Sequence, residues 1–280
     1  MKPAEALPLD GWHASLSLGF AANNERCWLA QRRHSGPLLV QRTFYPEDLH
    51  LCQTVIVHPP GGIAGGDRLE IEIIAGDHSS VQLTTPGAGK WYRGFGREAG
   101  QSVRIRVGDG ALCEWLPQEN IVFDGALANM SLDVELSPSA AFCGWDFTCL
   151  GRPASESPFS TGKLRQSTVI RRNGKSIFWE QATIDAAEEL RTAKTMLADY
   201  CAYGSMFVVS APPDADVMAA AREVISSSEN AGVTWLDGVL VARWVGHHTE
   251  EGRALFTRLW SVLRPRYAGR AAVTPRIWAT

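Results

Sequence analysis

The 280-residue chain has no cysteine pair at C-x-x-C spacing, no run of about 18 apolar residues and no large excess of either charge. Its six cysteines (Cys27, Cys52, Cys113, Cys143, Cys149, Cys201) are scattered, most of them among apolar neighbours, as in Phe142-Cys143-Gly144-Trp145. A thiol in such a setting behaves as a small hydrophobe, so free buried thiols in a reducing, cytoplasmic compartment are expected. The N-terminal MKPAEALPLDGWHA lacks the apolar core of a signal peptide, and no membrane span is expected. A formal net charge of −3 leaves no electrostatic footprint for nucleic acid. The G-x-S-x-G elbow of serine hydrolases does not occur either.

What the chain does have is turn residues and alternation. Hydrophobic residues make up 45% and charged residues 20%, the balance of an ordinary globular protein. A chain this long buries roughly 75% of its unfolded surface and needs no disulfides, so a single domain over 1–280 is expected. Trp12, Ala14, Leu16, Leu18 and Phe20 alternate with small polar residues. Leu69, Ile71 and Ile73 alternate with Glu70 and Glu72, Val103, Ile105 and Val107 with Arg104 and Arg106, and Leu132, Val134 and Leu136 with Asp133 and Glu135. Each reads as a half-buried strand with one polar face. The spacing predicts a hairpin over 163–185, turning at Asn173-Gly174, with Ile170 opposite Ile177 and Thr168 opposite Trp179. Its second strand is apolar on both faces and is expected to be buried on both, with Arg165 as the diagonal partner of Glu180. Late in the chain, Pro212-Pro213-Asp214 opens a helix over 215–227. Thr249 is expected to cap a second helix, which Arg264-Pro265 should end. The architecture is one mainly-β unit with two late helices.

The densest punctuation lies between Val55 and Gly94, where Gly61-Gly62, Gly65-Gly66 and Pro86-Gly87-Ala88-Gly89-Lys90 separate strands. The last of these looks like the end of a phosphate loop. However, a phosphate loop needs glycine where Thr84 stands and a hydroxyl residue where Trp91 stands, and no helix follows. The earlier glycines miss G-x-G-x-x-G spacing. The histidines are scattered, and the adjacent His247 and His248 point apart on an extended chain. His58, beside the Pro-Gly corner, reads as a turn-closing residue or a transient ligand. That leaves three carboxylates in unusual places: Asp67 directly after the glycine corner, Asp146 inside Phe142–Phe147, and Glu180 inside Phe178–Ala182. An unpaired buried carboxylate is costly, so each is either paired structurally or lines a polar path or site. A carbohydrate-active β-solenoid enzyme with paired carboxylates is one way to use them.

Several blocks also carry a family resemblance: VHPPGGIAGGD (57–67), TTPGAGKWYRG (84–94), EWLPQENIVFDGA (114–126), LGRPASE (150–156), the FWEQ strand around Glu180 and the terminal PRIWAT (275–280). In order and content the chain resembles the urease accessory protein UreD (UreH) family from about residue 10 to its end. The resemblance implies a mainly-β fold, an elongated β-helix-like stack of antiparallel and parallel strands with two α-helices toward the C-terminus. It implies a non-enzymatic scaffold for urease maturation that binds UreF and, through it, the GTPase UreG. That scaffold docks on apo-urease and helps deliver nickel, with no tightly bound cofactor. Asp67, Asp146 and Glu180 match acidic positions associated with a passage for transient Ni2+. Ile277 and Trp278 end the chain with two large apolar residues, either packed on the body or held for a partner, and are taken as part of a partner-binding patch.

Overall fold

The computed structural model describes residues 11–188, 193 and 195–279. Seventeen strands are present among them: β1 (His13–Ala22), β2 (Cys27–Ser35), β3 (Leu39–Phe44), β4 (Leu51–Val57), β5 (Arg68–Ala75), β6 (Ser80–Thr84), β7 (Gly89–Trp91), β8 (Ala99–Val107) and β9 (Leu112–Trp115), followed by β10 (Asn120–Val122), β11 (Leu127–Leu136), β12 (Ala141–Leu150), β13 (Lys163–Arg172), β14 (Lys175–Asp185), β15 (Ala202–Val209), β16 (Ala231–Leu236) and β17 (Val239–Gly246). The two helices are α1 (Ala215–Ser226) and α2 (Thr249–Ala268).

From β4 to β13 the long strands fall alternately in two sheets, which is the winding of a solenoid. A seven-stranded sheet runs β14-β13-β11-β8-β5-β1-β2, and its five inner strands are parallel. A ten-stranded sheet runs β16-β17-β15-β12-β9-β6-β4-β3, with the short β10 and β7 laid alongside β12. Antiparallel strands close the stack at each end: β2 on β1 and β14 on β13, then β3 on β4 and β15 on β12.

The alternation read from the sequence aims the apolar rows into the space between the sheets. Leu69, Ile71 and Ile73 are buried there with Val103, Ile105 and Val107 and with Leu132, Val134 and Leu136. Each such side chain contributes about 1.5–3 kcal/mol by leaving water. A second core forms where α1 and α2 cover the outer face of the larger sheet, around Trp145, Phe147, Phe256 and Trp260. α1 starts where Asp214 accepts the Val217 N–H at 2.9 Å.

Several local expectations are corrected. Trp12 precedes the first strand and is 60% exposed, so it does not join the Ala14–Phe20 row. In the 163–185 hairpin, Asn173 and Gly174 both take positive φ, as a type I′ turn requires. A bulge nevertheless leaves Ile177 unpaired, shifting the register to Ile170 opposite Phe178 and Thr168 opposite Glu180. The two helices cover the other sheet, so only the Phe178–Ile184 face of β14 packs and Trp179 stands 68% exposed. Glu180 pairs with Arg243, at 2.7 Å, and Arg165 pairs with Glu98.

The N-cap of α2 is His248, which makes no side-chain capping bond, and Thr249 lies buried in the first turn. The helix runs through Pro265 to Gly269, whose φ of 66° ends it. Arg264 and Tyr267, on either side of the proline, both bond Glu114, and these anchors outweigh the lost backbone bond.

Candidate functional site

Strand β12 is buried on both faces. Cys143, Trp145 and Phe147 join the helix-side core, while Phe142 and Leu150 join the core between the sheets. By strand parity, Asp146 and Thr148 share the inter-sheet face with Phe142 and Leu150. Across from them β13 offers Leu164, Gln166, Thr168 and Ile170 on one face, an apolar row interrupted by two polar residues.

Gln166 bridges the two sheets. Its Nε2 donates to Asp146 Oδ2 at 2.9 Å and to Thr148 Oγ1 at 3.0 Å, and its Oε1 accepts from the Tyr203 hydroxyl on β15. The other Asp146 oxygen accepts from Asn120 Nδ2 at 3.2 Å. Asn120 is held in turn by Trp91, whose indole N–H donates to Asn120 Oδ1 at 3.0 Å. Burial pushes the Asp146 carboxyl up to about 6, and the Asn120 hydrogen bond restrains the rise.

Asp146, Gln166 and Thr168 line two cavities at once. One, of about 230 Å³, reaches the surface at Gly61, Pro86, Gly87 and Lys90, and His58 lies in its wall. Burial lowers the pKa of His58 and keeps the imidazole neutral, against the opposing pull of the Asp67 charge. The second cavity, of about 380 Å³, passes Glu180, Tyr203 and Ser205 and reaches the surface at Thr195, Met196 and Arg243. There Arg243 pairs with Glu180 at 2.7 Å and donates to Ser205 Oγ at 3.2 Å.

The structure therefore brings Asp146 and Glu180 to one system of cavities. Asp67 lies elsewhere. Its Oδ1 accepts the Trp12 N–H and its Oδ2 the Ala64 N–H, each at 2.8 Å, so both oxygens button the glycine corner. At that corner Gly66 has a φ of 99°, and a Cβ on Gly65 would lie 2.3 Å from the Gly94 carbonyl oxygen. Among the described residues no group of three or more His, Cys, Asp or Glu side chains converges as a metal cluster. Trp278 packs against Trp145 and Trp260 and donates to Thr84 Oγ1 at 2.7 Å, so this terminal aromatic lies on the body, with Ile277 half-buried beside it.

The sequence reading passed over Gln166, Asn120, Tyr203 and Arg243. For Gln166 the signal was available: it shares strand parity with Leu164 and Ile170, so it had to face inward. The other three are set by tertiary pairing.

Residues 13–279 match the family model described as UreD urease accessory protein. The chain belongs to this family. It is 44% identical over 270 residues to "Urease accessory protein UreD" of Azoarcus sp. (strain BH72), covering 96% of this chain and 95% of that protein. It is 44% identical over 273 residues to the protein of the same name from Dechloromonas aromatica, with the same coverage. It is 42% identical over 272 residues to "Urease accessory protein UreD 2" of Brucella anthropi, covering 96% and 99%. These relatives are named accessory proteins, not enzymes, which removes the carbohydrate-active reading of the carboxylates. The family supports a role in urease maturation for this chain. No described helix is long and apolar enough to cross a membrane.

Proposed function

We propose that this chain is a scaffold for urease maturation, carrying UreF and through it the GTPase UreG onto apo-urease, and that nickel crosses it between the two sheets. The observation that carries the second part is the pair of cavities that share Asp146 in their walls and reach exposed residues of different segments, Gly61 and Lys90 in one and Met196 and Arg243 in the other. Nickel here is cargo. Oxygen donors hold Ni2+ more weakly than imidazole or thiolate do, so carboxylates, amides and hydroxyls spaced along a path pass the ion on rather than trap it. His58, with a neutral imidazole, stands in the wall of the first cavity, Asp146 at the junction and Glu180 in the second. Asp67 supports the mouth by fixing the corner next to His58. Ile277 and the outer side of the C-terminal segment are proposed as part of the surface that meets a partner.

Co-expression of urease with its accessory set, with and without this chain, tests the scaffold. Low nickel content and low activity are expected without it. Unchanged nickel content would contradict the maturation role itself.

A further inference from the structure

The two amides that clamp Asp146 are not equivalent. Asn120 has its oxygen committed to the indole N–H of Trp91, a group that can only donate. Turning Asn120 over would set two donors against each other, so its orientation is fixed. Gln166 is different. Its nitrogen faces Asp146 and the Thr148 hydroxyl, and its oxygen faces the Tyr203 hydroxyl. A hydroxyl can donate or accept. If the Gln166 amide turns over, Thr148 can donate to the carbonyl oxygen and Tyr203 can accept from the amide nitrogen. The amide nitrogen also gives up a weak contact to the Met130 sulfur at 3.8 Å, and the carbonyl oxygen is set against the Asp146 carboxylate, which is the strongly repulsive contact.

A divalent cation at Asp146 reverses that last contact. We propose that Gln166 is an invertible amide that donates to Asp146 while the passage is empty and turns its carbonyl oxygen to a divalent cation at Asp146 when the ion arrives. The loaded site is then an all-oxygen one, made of the Asp146 carboxylate, Gln166 Oε1 and water from the two cavities, a donor set suited to six-coordinate Ni2+. Because Gln166 lines both cavities with Asp146, the inversion takes place at the partition between them. The ion does not have to break a structural bond without replacing it. This inference rests on the reading that nickel passes Asp146.

Two measurements on the full chain separate the inference from that reading. The first needs no metal. Replacing the carboxylate by an amide, in Asp146→Asn, puts an N–H donor opposite Gln166 and should turn it over. In protein labelled with 15N-glutamine, the side-chain amide NOEs of Gln166 are expected to move from Met130, whose sulfur lies 3.8 Å from Gln166 Nε2, to the Tyr203 ring. NOEs that stay at Met130 would overturn the inversion. The second is calorimetric titration with NiCl2. Gln166→Met keeps the volume but loses the oxygen ligand, and about tenfold weaker binding is expected. Unchanged affinity in Gln166→Met, with weakened binding in Asp146→Asn, overturns the inference and leaves the nickel path standing. Unchanged affinity in Asp146→Asn overturns the nickel path as well.

Discussion

Arg264 and Glu114 meet at two points, Nε to Oε1 and Nη2 to Oε2, each at 3.0 Å, and neither side chain is exposed to solvent. Glu114 sits at the end of a polar ladder that crosses three parallel strands in register. Gln53 donates to Gln82 at 2.7 Å and Gln82 donates to Glu114 at 2.8 Å. The indole of Trp260 and the hydroxyl of Tyr267 complete the shell of the carboxylate. The contact fastens α2 to the larger sheet, on the side opposite the cavities.

Removing Arg264 strands Glu114 without water, whereas removing Glu114 leaves Arg264 paired with Glu47 at 2.8 Å. Arg264→Met is expected to cost about 3–5 kcal/mol in urea unfolding, and Glu114→Leu less, because Arg264 keeps its pair with Glu47. The double variant is expected to cost less than the sum of the two losses, because Glu114 is no longer left charged and unpaired, while Glu47 keeps Arg270 at 3.4 Å. Additive losses in the double variant would contradict the pairing.

The C-terminal aromatic is a structural part of the body. Trp278→Ala removes a ring packed on Trp145 and Trp260 together with the hydrogen bond to Thr84. A loss of about 2 kcal/mol is expected, below the range for a fully buried ring. Ile277→Ala is expected to leave the melting temperature nearly unchanged and to weaken co-purification with UreF. Equal thermal effects of the two substitutions would contradict this division of labour.

Asp146 should make stability depend on pH. Its carboxyl is raised to about 6 in the fold, against 3.8 for the free group, so the folded chain binds a proton that the unfolded chain releases. The stability due to that proton is complete below about pH 4 and is lost as the pH rises through 6. Asp146→Asn should therefore gain on the wild type by roughly 1–3 kcal/mol between pH 4 and pH 7. Carbon-13 NMR should show the Asp146 carboxyl titrating near pH 6, and higher still in Asn120→Ala, which removes a hydrogen bond that favours the charged form. A titration near pH 4 in the wild type would contradict the buried setting.

The strands were legible because their period-two rows fill the space between two sheets, and the glycine corners because φ values such as that of Gly66 admit little else. The hairpin register was missed by one residue because the bulge at Ile177 leaves no mark in the alternation. The Glu114–Arg264 pair joins residues 150 positions apart, and nothing local in either segment names the other. Glu114 within Leu112–Leu116 did show a carboxylate in an apolar run, the same signal that marked Asp146. Asp67 drew attention by its place directly after the glycine corner, yet its oxygens serve two backbone amides. A carboxylate in an unusual place reports that something must satisfy it. Whether that is an amide, a guanidinium or a passing ion is decided by the fold.

The most direct test of the passage is the nickel content of urease matured with Asp146→Asn and Glu180→Gln, measured by atomic absorption alongside co-purification of the accessory complex. The expected result is an intact complex with urease nickel reduced severalfold in each variant and further in the double variant. Full nickel loading by the double variant in an intact complex would contradict passage between the two sheets.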